Sequence, residues 1–287
     1  MTIALLSPSS PTAEADLRLS DLVSQVTHFC GEKVIVMPHA GHSIRFLAGT
    51  DVDRASDIMS AFMDSNITSI MTIRGGYGSV RLLDKIDYDI IRRNPKPFWG
   101  FSDATALQTA LYVMADITGY TGFQAGFLQA SVSDDLKQSC LSAMRGKQIE
   151  QNGLACLTKG VATGVCVGGT LSVLCGLLGT PYWPDMAGKI LVLEEVGEEP
   201  YVIDRLLTQL RLAGVWDKVV GVALGDFTDC IAKDAADGCV GDVLSEHFDG
   251  MDKPVIRIPY GHRTGKMVVP IGKMVMIDAD KGIFKEL

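Results

Sequence analysis

Basic residues are in deficit. Lys and Arg total 26 against 34 Asp and Glu, which leaves a formal net charge of −8. A nucleic-acid binder needs a basic face to neutralise phosphates, so that class is disfavoured. Long apolar runs are also missing. None approaches the about 18 residues from which a membrane helix is read, and no membrane partner is expected. The N-terminus, Met1-Thr2-Ile3-Ala4-Leu5-Leu6-Ser7-Pro8, has no basic stretch before its short apolar run, so it reads as a strand rather than a signal peptide. The seven Cys are odd in number and form no C-x-x-C pair, which argues against a disulfide framework or a zinc knuckle. Several lie in apolar runs and read as small core residues of a reducing compartment. The expectation is a cytoplasmic protein. No internal repeat or low-complexity tract is visible.

What is present suits a large core: 47% of the 287 residues are hydrophobic and 21% charged. In the N-terminal half, short apolar runs alternate with helical periods. Strands are expected over 2–7, 34–37, 67–73 and 97–101, and helices over 12–29, 51–64 and 103–115. Ser10 and Pro11 suit the N-cap and first position of the first helix. Strands alternating with helices imply a parallel sheet with helices on both faces. The C-terminal half offers strands over 190–193, 219–224, 254–257, 267–270 and 273–278 and a helix over 200–213. The fold class is α/β: an N-terminal parallel-sheet sandwich domain over 1–148, a polar linker over 149–163, and a smaller α/β domain with β-rich character over 164–287.

Chemistry concentrates in a few segments. In Trp99-Gly100-Phe101-Ser102-Asp103-Ala104-Thr105, an apolar strand runs directly into a helix. Gly100-x-Ser102-x-Ala104 is close to the G-x-S-x-G turn that lifts a nucleophilic hydroxyl clear of a sheet. The N–H of Asp103 would face a developing oxyanion. The competing reading is that Ser102 only caps the helix. Arg74-Gly75-Gly76-Tyr77-Gly78 follows another strand. It lacks the Walker Gly-Lys-Ser/Thr and the G-x-G-x-x-G spacing. It therefore suits a second oxyanion donor or a plain tight turn, with Arg74 and Tyr77 as possible substrate contacts.

A nucleophilic serine needs a base and an acid behind it. Of the five His, His28 and His247 read as structural, while His39 and His42 remain open in a loop. His262 lies in a Gly-flanked loop between two strands, which suits a base better. Leu191-Val192-Leu193-Glu194-Glu195-Val196 places acids at the carboxyl end of a strand, where open α/β sheets bind ligands. Asp226 is a second strand-end acid, so spacing alone leaves Glu194, Glu195 and Asp226 open.

Taken in order, the segments resemble the LD-carboxypeptidase family of serine peptidases. The resemblance runs through Ser7-Pro8-Ser9-Ser10, Phe46-Leu47-Ala48-Gly49-Thr50-Asp51, Arg74-Gly75-Gly76-Tyr77-Gly78 and Gly100-Phe101-Ser102-Asp103. It continues through Gly168-Gly169-Thr170-Leu171, Leu178-Gly179-Thr180-Pro181-Tyr182-Trp183, Leu193-Glu194-Glu195-Val196-Gly197-Glu198-Glu199-Pro200-Tyr201, Gly261-His262 and Pro270-Ile271-Gly272. It implies a triad of Ser102, Glu194 and His262, favouring Glu194 over its rivals. It also implies an oxyanion hole from the backbone of the Gly75–Tyr77 loop, including Gly76, and of Asp103. The implied reaction is release of terminal D-Ala from a murein tetrapeptide by a homodimer with no metal or cofactor. The microcin-immunity peptidases of the same family imply a peptidyl-nucleotide as the alternative substrate, with Tyr182 or Trp183 as a stacking platform. A non-catalytic muropeptide-binding protein would require a lost triad member. The chain departs from the family at Thr121-Gly122-Phe123-Gln124-Ala125, where many members carry Gly-Pro, which puts the pocket wall in question.

Overall fold

The computed structural model describes residues 1–12 and 19–287. Its contacts divide the chain into two compact units. The first is Met1–Val132 with Pro181–Trp183, and the second is Ser133–Thr180 with Pro184–Leu287.

The first unit is built from β1 (Thr2–Leu6), α1 (Leu19–Cys30), β2 (Lys33–Val36), α2 (Asp51–Met63), β3 (Ser69–Thr72), α3 (Tyr88–Arg93), β4 (Phe98–Gly100), α4 (Ala104–Ala115) and β5 (Gly119–Thr121). The first helix is expected from residue 12, with Ser10 as its cap and Pro11 at its first position, but Ser10, Pro11 and Thr12 are not helical; residues 13–18 of that span lie outside the described residues. The five strands are parallel in the order β5-β4-β3-β1-β2. Inner strands of such a sheet are covered on both faces; β3 and β4 are buried along their whole length, Ser69 and Thr72 of β3 included. Right-handed crossovers put α1 on one face and α2, α3 and α4 on the other, and α3 packs against both α2 and α4. The chain leaves β1 in one direction to β2 and returns past it to β3. The carboxyl ends of β1 and β3 therefore flank the point where strand order reverses, the usual ligand crevice of such a sheet.

The second unit contains α5 (Asp134–Met144), β6 (Glu150–Gln151), β7 (Cys156–Thr158), β8 (Val161–Thr170), α6 (Leu171–Cys175), β9 (Lys189–Val196), α7 (Pro200–Leu212), α8 (Val215–Lys218) and β10 (Gly221–Thr228). It continues with α9 (Val240–Phe248), β11 (Val255–Arg257), β12 (Val269–Ile271), β13 (Met274–Asp278) and β14 (Ile283–Glu286). Eight strands form a mixed sheet in the order β6-β14-β13-β8-β9-β10-β11-β7. The central strands β8 to β11 run parallel, and the flanking ones are antiparallel. Strands β6, β7 and the start of β8 fall in 149–163, a polar stretch without a period. Pro200 opens α7 at its first turn, where its missing N–H costs nothing.

Candidate active site

In the first unit, three loops meet at the switch point. Ser102 sits between β4 and α4 with φ +62°. That left-handed conformation is costly for a residue with a Cβ, and such strain clusters at functional sites. The small neighbours have a steric reason. A Cβ added at Gly100 would lie 2.7 Å from the Ala104 Cβ, so the turn closes only with Gly before and a small residue after. Helix α4 begins at Ala104 with Asp103 at its N-cap position. Among the described residues, no capping bond to the Ser102 hydroxyl is found.

The Gly-rich loop comes into direct contact with this turn. A Cβ at Gly75 would lie 2.8 Å from the Ser102 Cβ and 3.1 Å from its Oγ. Gly76, at φ +114°, packs on Ser10, whose Oγ accepts from the Tyr77 N–H at 3.1 Å. Arg74 turns back to donate to the Pro11 carbonyl at 3.2 Å. Tyr77 is about half exposed and pairs with the exposed ring of Phe46, centroids 5.7 Å apart.

Two buried polar side chains hold these loops together: Asp103, expected only as an oxyanion N–H donor, and Arg54, which the sequence did not mark as a site residue. The Asp103 carboxylate accepts from the Ser9 hydroxyl at 2.6 Å and the Ser79 N–H at 2.8 Å, tying the loop after β1 to the end of the Gly-rich loop. The Arg54 guanidinium donates to the carbonyls of Pro8 and Gly78 and pairs with Asp51. Burial pushes its pKa down, and Asp51 opposes that shift. A charge this deep persists only with partners on several sides. The sequence hint was an Arg one turn before the apolar Ile58, Ala61 and Phe62 of α2.

In the second unit, Glu194 lies on β9, between β8 and β10, and is wholly buried. Its Oε1 accepts from the Thr170 hydroxyl at 2.5 Å, and its Oε2 is 2.8 Å from His262 Nδ1. With the carboxylate as acceptor, Nδ1 carries the hydrogen and donates, which leaves Nε2 as the basic nitrogen. Thr170 stands opposite Glu194 in the parallel register of β8 and β9. Its hydroxyl is an orienting contact that the sequence reading did not assign.

The rival candidates are committed elsewhere. Successive side chains of a strand face opposite ways, so Glu195 turns from Glu194 and accepts the N–H groups of Ser172 and Val196. Burial pushes its carboxyl up. His39 Nδ1 lies 2.8 Å from Asp57, and His42 stands 3.9 Å from Asp53. His247 pairs with Asp204. Asp226 accepts from the Thr264 hydroxyl, two residues after His262. Tyr182 lies tilted against Tyr88, centroids 6.0 Å apart, and burial pushes its phenol up. In the departing segment, Phe123 is fully buried and stacks on Phe29 at 5.4 Å, so the side chain standing near the expected Gly-Pro fills core.

The first unit presents a strained serine turn against a glycine loop, and the second presents a buried Glu–His pair. The chain matches the LD-carboxypeptidase N-terminal domain over residues 3–122 and the LD-carboxypeptidase C-terminal domain over residues 163–277. It belongs to the LD-carboxypeptidase family and is a serine-type peptidase. It is 32% identical to the "Probable murein peptide carboxypeptidase" of Bacillus subtilis, over 98% of this chain and 90% of that protein. It is 31% identical to the murein tetrapeptide carboxypeptidase of Pseudomonas aeruginosa, over 97% and 94%. The structure of muramoyltetrapeptide carboxypeptidase from Oxalobacter formigenes superposes with a TM-score of 0.88 at 25% identity, covering 100% of this chain and 98% of that one.

Proposed function

We propose that this chain is a serine carboxypeptidase that removes the terminal D-Ala from murein tetrapeptides at an L,D bond. Ser102 is the nucleophile, His262 its base and Glu194 the acid that fixes the imidazole. The observation that carries the reading is the Glu194–His262 hydrogen bond of 2.8 Å on a fully buried carboxylate. The left-handed turn at Ser102 supports it.

In the reaction, His262 Nε2 takes the Ser102 proton as Oγ bonds to the carbonyl carbon. The oxyanion is stabilised by backbone N–H groups of the Gly75–Gly76 segment and of Asp103. The C–N bond then breaks, and D-Ala leaves with the proton from His262. Water, deprotonated by the same imidazole, hydrolyses the acyl-serine and returns the enzyme. Arg74 and Tyr77 remain the proposed substrate contacts. A cytoplasmic homodimer acting in peptidoglycan recycling completes the reading.

The test is incubation of the wild type and Ser102→Ala with free and UDP-linked murein tetrapeptides. Tripeptide and D-Ala appear only with the wild type. Equal release by both proteins overturns the serine assignment. Cleavage of an aminoacyl-nucleotide analogue with no release from any tetrapeptide overturns the substrate.

A further inference from the structure

The loop that carries His262 is held by a second acid that the proposed chemistry leaves unused. β10 runs in register with β9 up to Leu224, then shifts before Phe227. The irregularity consists of Gly225 and Asp226. A Cβ at Gly225 would lie 2.2 Å from the Tyr260 carbonyl oxygen and 3.0 Å from the Glu194 Cβ, so the strand passes between the acid and the His262 loop with no room to spare. The Asp226 N–H donates to the Tyr260 carbonyl at 2.7 Å. Gly261 lies against the Asp226 side chain: a Cβ there would be 2.7 Å from the Asp226 Cβ and 3.0 Å from its Oδ2. The Thr264 hydroxyl donates to that same Oδ2. The loop is also closed on itself, because the Lys266 N–H donates to the Pro259 carbonyl at 2.8 Å. Asp226 therefore holds the residues on both sides of His262.

We propose that Asp226 is a positioning residue for His262, anchoring its loop through Thr264 and placing a second negative charge beside the Glu194–His262 pair. The inference rests on the proposed role of His262 as base. Two charged groups face Asp226. Arg257 on β11 donates to the Gly225 carbonyl at 3.3 Å, and Glu194 lies on β9. Burial pushes the Asp226 carboxyl up, Arg257 opposes this, and Glu194 adds to it. A carboxyl raised by folding contributes stability that is present below its ordinary range and is lost as pH rises through the raised value.

Two variants separate charge from anchoring. Asp226→Asn keeps an oxygen for Thr264 and removes the charge. Its acidic limb of kcat/KM moves to lower pH, by up to about one unit, because a negative neighbour favours the protonated imidazole. NMR titration of the His262 ring, assigned with His262→Gln, moves the same way and needs no substrate. Thr264→Val keeps the charge and frees the loop. Its plateau kcat falls by about ten- to a hundredfold with KM little changed, and Thr264→Ser restores it. Superimposable wild-type and Asp226→Asn titrations overturn the electrostatic part. Wild-type kcat in Thr264→Val overturns the anchoring part. An active His262→Gln enzyme overturns the base assignment instead, and the ring titration still decides this inference.

Discussion

Replacing Ser102 by Gly separates the demands of chemistry from those of folding. At φ +62° the Ser102 Cβ crowds its own backbone, a cost of about 1–2 kcal/mol for an L-residue in the left-handed region. Glycine removes that cost but adds about 0.4–1 kcal/mol of backbone entropy to the unfolded chain. Alanine keeps the strain and loses only the hydroxyl. The expectation is that Ser102→Gly is more stable than Ser102→Ala by roughly 0.5–1 kcal/mol, or about 2 °C in the transition of the unit that carries it. Both variants are inactive in D-Ala release. Scanning calorimetry of the two variants side by side measures the difference, and the unfolded-chain term is common to any site, so the excess reports the turn. An alanine variant equal to or more stable than the glycine variant refutes a strained left-handed turn at this position.

Other expectations follow from the same geometry. Gly75→Ala puts a methyl 2.8 Å from the Ser102 Cβ, well inside ordinary contact, so loop or serine must move by several tenths of an ångström; kcat for D-Ala release falls about ten- to a hundredfold with circular dichroism unchanged, and wild-type turnover would count against the loop's role. Glu194→Gln offers His262 an amide in place of a carboxylate and favours the wrong tautomer; kcat falls by about four orders of magnitude, as when triad acids become amides, and a loss under tenfold in steady-state assays contradicts the assignment. Asp51 is held below its ordinary value of 3.8, chiefly by the Arg81 hydrogen bond, with burial opposing and Arg54 adding. A depressed carboxylate contributes stability above its unfolded value and loses it as pH falls through the folded one. Asp51→Asn is therefore less stable than the wild type at pH 7, by roughly 1–3 kcal/mol, because the buried Arg54 loses its carboxylate partner while the exposed Arg81 contact adds little. The two curves converge in urea titrations as pH falls through the depressed value of Asp51, and a pH-independent gap argues against the ion pair.

The strands of the first unit were legible because each is a short, largely apolar or β-branched run close to turn residues: 2–7, 67–73 and 97–101 contain β1, β3 and β4 with ends shifted by one or two residues. Helix α2 ends one residue before its expected limit and starts with the Thr50–Asp53 capping box. β8 was not legible. Its ten residues include Gly164, Gly168 and Gly169, and its apolar residues mark no strand period. Those glycines answer to the neighbouring strand: a Cβ at Gly168 would meet the Val192 carbonyl oxygen at 2.0 Å. Short strands such as β6 and β7 carry too few residues for any pattern, and their pairing partners lie far along the chain.

The sequence by itself determined the alternation of strands and helices, the small residues around Ser102, and the loop setting of His262, because each is written in neighbouring residues. It could not choose among Glu194, Glu195 and Asp226, since all three are acids at or near strand ends. Only the tertiary structure shows which of them is hydrogen-bonded to His262. The two-residue alternation of β9 sends Glu194 to His262 and Glu195 to the opposite face, while the irregularity in β10 turns Asp226 toward the loop. Nor could the sequence show that Asp103 and Arg54 bind the loops of the first unit together. Their partners lie 24 to 94 residues away, and only the folded sheet brings such distant hydrogen-bonding groups within reach.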